Sequence, residues 1–280
     1  MTALDFIATA GESLRANALR TVLTTLGIMI GVAAVIAMVA VGAGAERKME
    51  DLIRRLGSNI LIVLNGTSVS GGRRGGSGTA VSLTEDDARA IEREVPQVAI
   101  AAAAVRGAAQ VVYGNANWFT TIRGANQNYL DARDWVVTEG RRFSAADERG
   151  AGKVAILGST VVDKVFDGLS PLGRTIRIKK VPFTVVGVTA TKGQTPFGSD
   201  QDDVVFIPIG AAKTRVLGGG RFRGKFVGSI IVKARSAAAV TEAERGTVEL
   251  LRHRHRVRPG FPDDFRVRNI AQILETRAVS

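Results

Sequence analysis

Along the chain the apolar positions follow different rhythms, and each rhythm predicts a different kind of element. Residues 21–45 (TVLTTLGIMIGVAAVIAMVAVGAGA) are apolar or small without interruption, 25 positions with neither charge nor proline between Arg20 and Glu46. As an α-helix this run is about 37 Å long, enough to cross a hydrocarbon core of about 30 Å. It predicts a transmembrane helix. A cleaved signal peptide and a buried core helix are the competing readings, and Val41, Gly42, Ala43, Gly44 and Ala45 imitate a cleavage site. The apolar run is nevertheless longer than a signal h-region, and its twenty-residue preamble is unlike a short basic n-region.

Helical spacing continues on both sides of the span. Leu4, Ile7, Ala8, Gly11, Leu14 and Ala18 fall on one face with Asp5, Thr9 and Glu12 opposite. Residues 1–18 therefore read as an amphipathic helix, either lying along the membrane surface or packed on other transmembrane segments. After the span, Met49, Leu52, Ile53 and Leu56 form an apolar stripe, while Glu50 with Arg54 and Asp51 with Arg55 make i, i+4 pairs. Residues 19–56 are thus expected as one rod, a transmembrane helix prolonged into a stalk that Gly57 caps. Within the span Gly27 and Gly31, Ala33 and Ala37, and Ala40 and Gly44 repeat small residues at four-residue intervals, the spacing that lets helices pack closely. Apolar helices rich in Ala and Gly also show it by chance.

Downstream the rhythm changes to short apolar runs. Residues 59–65 read as a strand, 84–94 as a helix with a Thr84 cap and an acidic first turn, and 97–105 as a strand. The sequence of types recurs as a strand at 226–234, a helix at 236–257 and a short strand at 264–267. Two βαβ units of this kind commonly pair into a ferredoxin-like split sheet. Between them, strands are expected at 110–113, 118–123, 153–157, 174–179, 183–188 and 204–208, with short helices near 126–134, 159–166 and 209–217. The fold class is therefore α+β: a transmembrane helix, then a ferredoxin-like βαβ/βαβ subdomain made of residues 57–105 and 225–268, with a small α/β subdomain of residues 106–224 inserted in it.

Charge sharpens this picture. The chain has 38 Lys and Arg against 26 Asp and Glu, a formal net charge of +12. Residues 1–45 carry only Asp5, Glu12, Arg15 and Arg20, so the whole excess lies beyond the span, spread among acids rather than gathered in a tract. That pattern favours a solvated basic surface and argues against a nucleic-acid partner. Arg15 and Arg20 just ahead of the span favour a cytoplasmic N-terminus and an exported main domain. Arg47 and Lys48 oppose this, but they sit beside Glu46, Glu50 and Asp51 and precede a large domain.

Candidate chemistry is sparse. Cysteine is absent, which removes disulfides, thiolate metal sites and a cysteine nucleophile. The glycine-rich run at 66–78 lacks the spacing of a phosphate-binding loop and reads as a mobile loop, and GGGRFR at 218–223 reads as a turn. His253 and His255 sit in RHRHR, pointing to different sides of a helix among basic neighbours, and are expected on a solvated basic face rather than on a metal. Asn65, Gly66 and Thr67 fit a glycosylation sequon that is too short to carry weight. Asp202 and Asp203 would face opposite ways, and Ser159 lacks a histidine base. No catalytic constellation and no metal site emerge.

Several runs together carry a family resemblance: LGIMIGVAAVIAMVAVGAGAERKMEDLIRRLGSNILIV, KVAILGSTVVDKVF, SPLGRTIRIKKVPFTVVGV, KGQTPFGSDQDDVVFIP and RHRHRVRPGFPDDFRVRNIAQILETR. In this order, across essentially the whole chain, they resemble permease subunits of MacB-type ABC transporters. The fourth run supplies a signature loop in Lys192, Gly193, Gln194, Pro196, Phe197, Gly198, Asp202 and Asp203.

The resemblance implies a noncatalytic permease. ATP and magnesium would belong to a cognate ABC ATPase subunit, a second permease copy would complete a dimer, and the site would be the bacterial inner membrane with the main domain exported. Some members work beneath a membrane-fusion adaptor and an outer-membrane duct. Such permeases return through three further transmembrane helices, so this chain resembles a front portion, with residues 269–280 (Ile270, Ile273 and Leu274 on one face) as the start of a returning stalk. The competing expectation is a single-span receptor or adaptor with an exported ligand-binding domain.

Overall fold

The computed structural model describes residues 18–56, 59–67, 69–70, 73–74, 81–195, 198–218, 222 and 224–270. The expected surface helix at 1–18, the Gly57 cap, and Ile273 and Leu274 of the expected returning stalk lie outside the described residues. The chain divides into two compact units, Met1–Asp51 and Leu52–Ser280.

In the first unit the uncharged run folds as foreseen. Helix α1 (Ala18–Leu56) is unbroken over 39 residues, and its segment Ala18–Gly44 is long and apolar enough to cross a membrane. None of the most apolar window is buried within the chain; Leu19, Val22, Met38 and Val41 stand in the open. The hydroxyl of Thr24 donates to the carbonyls of Arg20 and Thr21 at 2.9 and 3.0 Å. A hydroxyl bonded within its own helix removes the cost of an unsatisfied polar group in an apolar span.

The second unit is built on one large mixed sheet. Strand β1 (Ile60–Asn65) is followed by the dipeptide strands β2 (Val69–Ser70) and β3 (Arg73–Arg74), which pair only with each other, giving a small hairpin within the run expected as a mobile loop. Helix α2 (Glu85–Glu94) then leads to β4 (Val98–Tyr113). Near the end of the chain come β11 (Ser229–Ala234), helix α7 (Val240–Arg254) and β12 (Phe265–Asn269). The sheet runs β12-β1-β11-β4 in this region, every pair antiparallel, with Ile62 opposite both Ile231 and Arg268. That interleaved order is what two split βαβ units produce, and it puts the strand at 60–65 beside the strand at 229–234. Asn269, expected in the returning stalk, is instead the last residue of β12, opposite Leu61.

Strand β4 is longer than its periodicity suggested. The expected strands at 97–105 and 110–113 are one sixteen-residue strand, and β5 (Ala116–Ala125) turns back along it from Tyr113↔Ala116 to Ala104↔Ala125. The intervening Arg106, Gly107, Ala108 and Ala109 had hidden the continuity, because few of them are strong strand formers. Residues 106–224 then extend the same sheet through β10 (Val204–Pro208), β7 (Val154–Leu157), β9 (Val181–Thr189) and β6 (Val137–Gly140), with β8 (Thr175–Ile178) bridging β4 and β9.

The short helices of this region are α3 (Tyr129–Ala132), α4 (Ala145–Arg149), α5 (Ser159–Phe166) and α6 (Ile209–Ala211), the last running into a wider turn at Ala212–Val216. Strand β6 and helix α4 were not foreseen, although Ser144 and Asp147 form a capping box at α4. The same device stands at α2, where Thr84 and Asp87 cap reciprocally.

Packing explains the alanine run of β4. Ala101 and Ala103 point to the larger core, shared with Ile91 of α2, Val161 of α5 and Leu251 of α7. Ala102 and Ala104 point to a second, smaller core with Tyr129, Leu130, Trp135 and Phe206. Small side chains on both faces allow a layer of helices on one side and the segment around α3 on the other to approach the same strand closely.

Candidate functional site

Three features could carry function: the signature loop, a buried charge cluster and the membrane helix.

The signature loop joins β9 to β10 and is organised around one buried carboxylate. Asp202 is 2% exposed, and its Oδ1 and Oδ2 accept hydrogen bonds from the backbone N–H groups of Lys192 and Gly193 at 2.8 and 2.7 Å. Its own N–H donates to Asp200, whose other oxygen accepts from the hydroxyl of Thr160 at 2.7 Å on α5. Gly193 and Gly198 take left-handed φ angles of 76° and 75°, which folds the loop back so that Gln194 pairs with Asp200. Gly158 lets β7 pass: a Cβ there would meet the carbonyl oxygen of Asp202 at 2.1 Å. Asp203 looks elsewhere, accepting from the indole N–H of Trp118 at 2.8 Å. The two aspartates thus serve separate neighbours, as expected, and each is a structural acceptor. Pro196 and Phe197 lie outside the described residues. The hydroxyl of Ser159 meets that of Thr191 at 3.1 Å, with no imidazole beside it.

Lys192 extends from this loop over another part of the fold. Its Nζ donates to the carbonyl of Arg133 at 2.5 Å and lies 5.0 Å from the centre of the Trp135 ring. Burial, and then the nearby Arg133 guanidinium, pull its pKa down to about 8.

The charge cluster was not foreseen. His253 is exposed, but His255 is not part of the solvated basic face assigned to it: its side chain is 9% exposed. Nδ1 faces Asp264 at 2.8 Å and Nε2 faces Asp87 at 3.3 Å. Asp87 also receives the N–H and hydroxyl of Thr84 and the Nε of Arg254, the latter at 2.8 Å. Burial alone would lower the pKa of His255; the hydrogen bonds that its ring donates to the Asp264 and Asp87 carboxylates outweigh it and raise the value to about 9. Burial pushes Asp87 upward, and hydrogen bonds from His255, Thr84 and Arg254 hold it far below the usual carboxylate range instead. The cluster ties the N-terminus of α2 to the C-terminus of α7 and to the approach to β12. Only the capping box could have announced Asp87, since its partners are distant in sequence.

Asn65 is likewise structural. It is 6% exposed; its amide donates to the carbonyls of Val227 and Gly228, and its oxygen accepts from the N–H groups of Ser82 and Leu83. The sequon nitrogen is therefore committed to the interior.

On α1, Cβ atoms added at Gly27, Gly31 or Gly44 would meet nothing within 4 Å, and Ala33, Ala37 and Ala40 are also exposed. Met49, Leu52, Ile53 and Leu56 all lie on the continuous helix. Among the described residues no group of three or more His, Asp or Glu is placed to hold a metal ion.

An exposed apolar helix of spanning length, followed by a mixed α+β domain whose charged residues serve architecture, fits a membrane-anchored protein with a folded domain outside the bilayer. The chain belongs to the MacB-like periplasmic core domain family, whose model matches residues 21–250. The macrolide export ATP-binding/permease protein MacB of Syntrophobacter fumaroxidans is 38% identical over 96% of this chain and 45% of its own length. The chain thus spans less than half of that relative. The crystal structure of the periplasmic region of MacB from Actinobacillus actinomycetemcomitans superposes with a TM-score of 0.65 at 24% identity, covering 83% of this chain and 99% of that one. The extracellular domain of the noncanonic ABC-type transporter YknZ from Gram-positive bacteria gives 0.57 at 20% identity, covering 75% and 100%. These two likenesses establish the fold. The receptor or adaptor reading is not favoured, because the family match runs from within α1 to within α7.

Proposed function

We propose that this chain is part of the permease of a MacB-type ABC transporter, and that it transmits motion between the membrane and an exported domain without catalysing a reaction itself. ATP and magnesium would be handled by a cognate ATPase subunit, with a second permease copy completing a dimer and the small residues Gly27 and Gly31 on one side of the helix, and Ala33, Ala37, Ala40 and Gly44 on another, admitting close helix neighbours. The protein would lie in the bacterial inner membrane with its N-terminus in the cytoplasm, and an adaptor and outer-membrane duct would complete an efflux path. Residues 57–105 with 225–268 would act as a porter-like part and 106–224 as its cargo- or partner-facing extension.

The observation that carries this reading is the unbroken helix Ala18–Leu56, which leads within a few residues into β1. A helix is stiff along its axis, so displacement of its membrane part would be carried along the rod as far as Leu56. Insertion of two glycines after Asp51 tests it. The insertion costs about 1 kcal/mol of helix stability per glycine and rotates the stripe of Leu52, Ile53 and Leu56 by roughly 200° relative to the span. In a complete permease reconstituted with its ATPase, ATP turnover should persist while export falls. Unchanged export at normal expression would reduce the stalk to a tether.

A further inference from the structure

A small cavity opens where β5 parts from β4. The pairing of the two strands ends at Ala104 opposite Ala125, and the chain turns away at Asn126. A space of about 180 Å³ lies there, bounded by Ala101 and Ala103 of β4, by α2, by the turn at 126–128 and by α4.

Acceptors dominate its walls. Glu92 on α2 and Glu148 on α4 both line it, and neither has a cationic partner among the described residues. Burial raises the pKa of Glu92, whose carboxylate is met only by the backbone N–H of Ala101. Glu148 accepts the backbone N–H of Gln127 at 3.2 Å. The side-chain oxygen of Asn126, on the same wall as Gln127, is buried and accepts no hydrogen bond among the described residues. The cations at hand are already answered: Arg89 by Asp86, and Lys213 by the third carboxylate of the lining, Glu85, at 2.6 Å.

A cavity with a surplus of acceptors and of negative charge calls for a guest that brings donors and positive charge. Among the described residues no three carboxylates are grouped closely enough to hold a bare metal ion, so the donors must reach separate walls, as those of an organic cation do. The volume, below that of pockets for drug-sized ligands, keeps the guest small.

We propose that this cavity binds a small organic ammonium, whose N–H groups donate to the carboxylates of Glu92 and Glu148 and to the side-chain oxygen of Asn126. Such charge-assisted hydrogen bonds are the strong ones. Every wall belongs to the second unit, so the site stands whether or not the permease reading holds. Occupancy ties α2, in the first βαβ unit, to the turn that leads into α3 of the inserted region.

The test titrates the full chain in non-ionic detergent with putrescine by calorimetry. Butanediol serves as the uncharged analogue of equal length, and sodium and magnesium chloride are run at matched ionic strength. A saturable heat with putrescine alone is expected. Glu92→Gln and Glu148→Gln should each weaken binding about tenfold, the scale of one charge-assisted hydrogen bond. Glu249→Gln, on an exposed face of α7, should leave it unaltered. Circular dichroism matching that of the parent chain separates loss of binding from loss of fold, and Glu148→Gln, at the surface on a short helix, stands in should Glu92→Gln fail to fold. Weakening in either folded variant supports the site. No saturable heat below about 10 mM putrescine, an equal response to butanediol or to either salt, or binding that survives both glutamine variants would overturn the proposal.

Discussion

His255 and Asp87 are 168 residues apart in the chain, yet Nε2 of one lies 3.3 Å from Oδ2 of the other. Through that contact and the 2.8 Å contact to Asp264, one imidazolium holds together a helix start, a helix end and the entry to an edge strand. The arrangement gives this folded unit a specific response to alkali.

The folded-state pKa of His255, about 9, lies above the ordinary value of 6.5. Its contribution to stability is therefore full below about pH 6.5, declines as pH rises, and is gone above about pH 9, with an upper limit of about 3 kcal/mol. Thermal melting of the chain in detergent from pH 6 to pH 10 should show this alkaline fall, and His255→Gln should flatten it. A parallel pH profile in the variant would remove His255 as the cause. Asp87 acts oppositely: its contribution is present above the ordinary carboxylate pKa and is lost only in strong acid.

Asp202→Asn replaces one of two accepting oxygens with a donor facing a backbone N–H. A loss of about 2 kcal/mol is expected, together with faster hydrogen exchange at the amides of Lys192 and Gly193. Gly158→Ala drives a methyl group against the Asp202 carbonyl and should cost about 1–3 kcal/mol. If exchange at both amides stays slow in Asp202→Asn, the carboxylate does not organise the loop.

Membrane orientation is tested with reporter fusions after Gly66 and Ser280. Alkaline phosphatase should be active at both positions if Arg15 and Arg20 orient the span as the proposed topology requires, since positive flanks favour the cytoplasmic side. Active β-galactosidase at either position would reverse the topology.

Local chemistry made much of this molecule readable. The uncharged run, the Thr84 cap with its acidic first turn and the helix at 159–166 follow from residues within a turn or two of one another, and each appears in place. What escaped depends on distant partners. The continuity of β4 comes from pairing Arg106–Ala109 with Arg123, Ile122, Thr121 and Thr120 on β5, which overrides weak strand propensity. His255 looked solvated among four arginines because the carboxylates that bury it arrive from α2 and from the loop before β12. Lys192 is unremarkable in the sequence; only the turn after α3 brings the Arg133 carbonyl and the Trp135 ring to it.

The antiparallel pair β1 and β12 has one more consequence. Leu61 faces Asn269, so the first and last strands of the sheet in chain order lie side by side, about 5 Å apart. A folded unit with adjoining ends can be cut out and closed with a short linker, or set into a different pair of helices, without stretching its host. The folded unit is for that reason a natural cassette, whose first and last strands can be re-joined or re-hosted by design without rearranging the sheet between them.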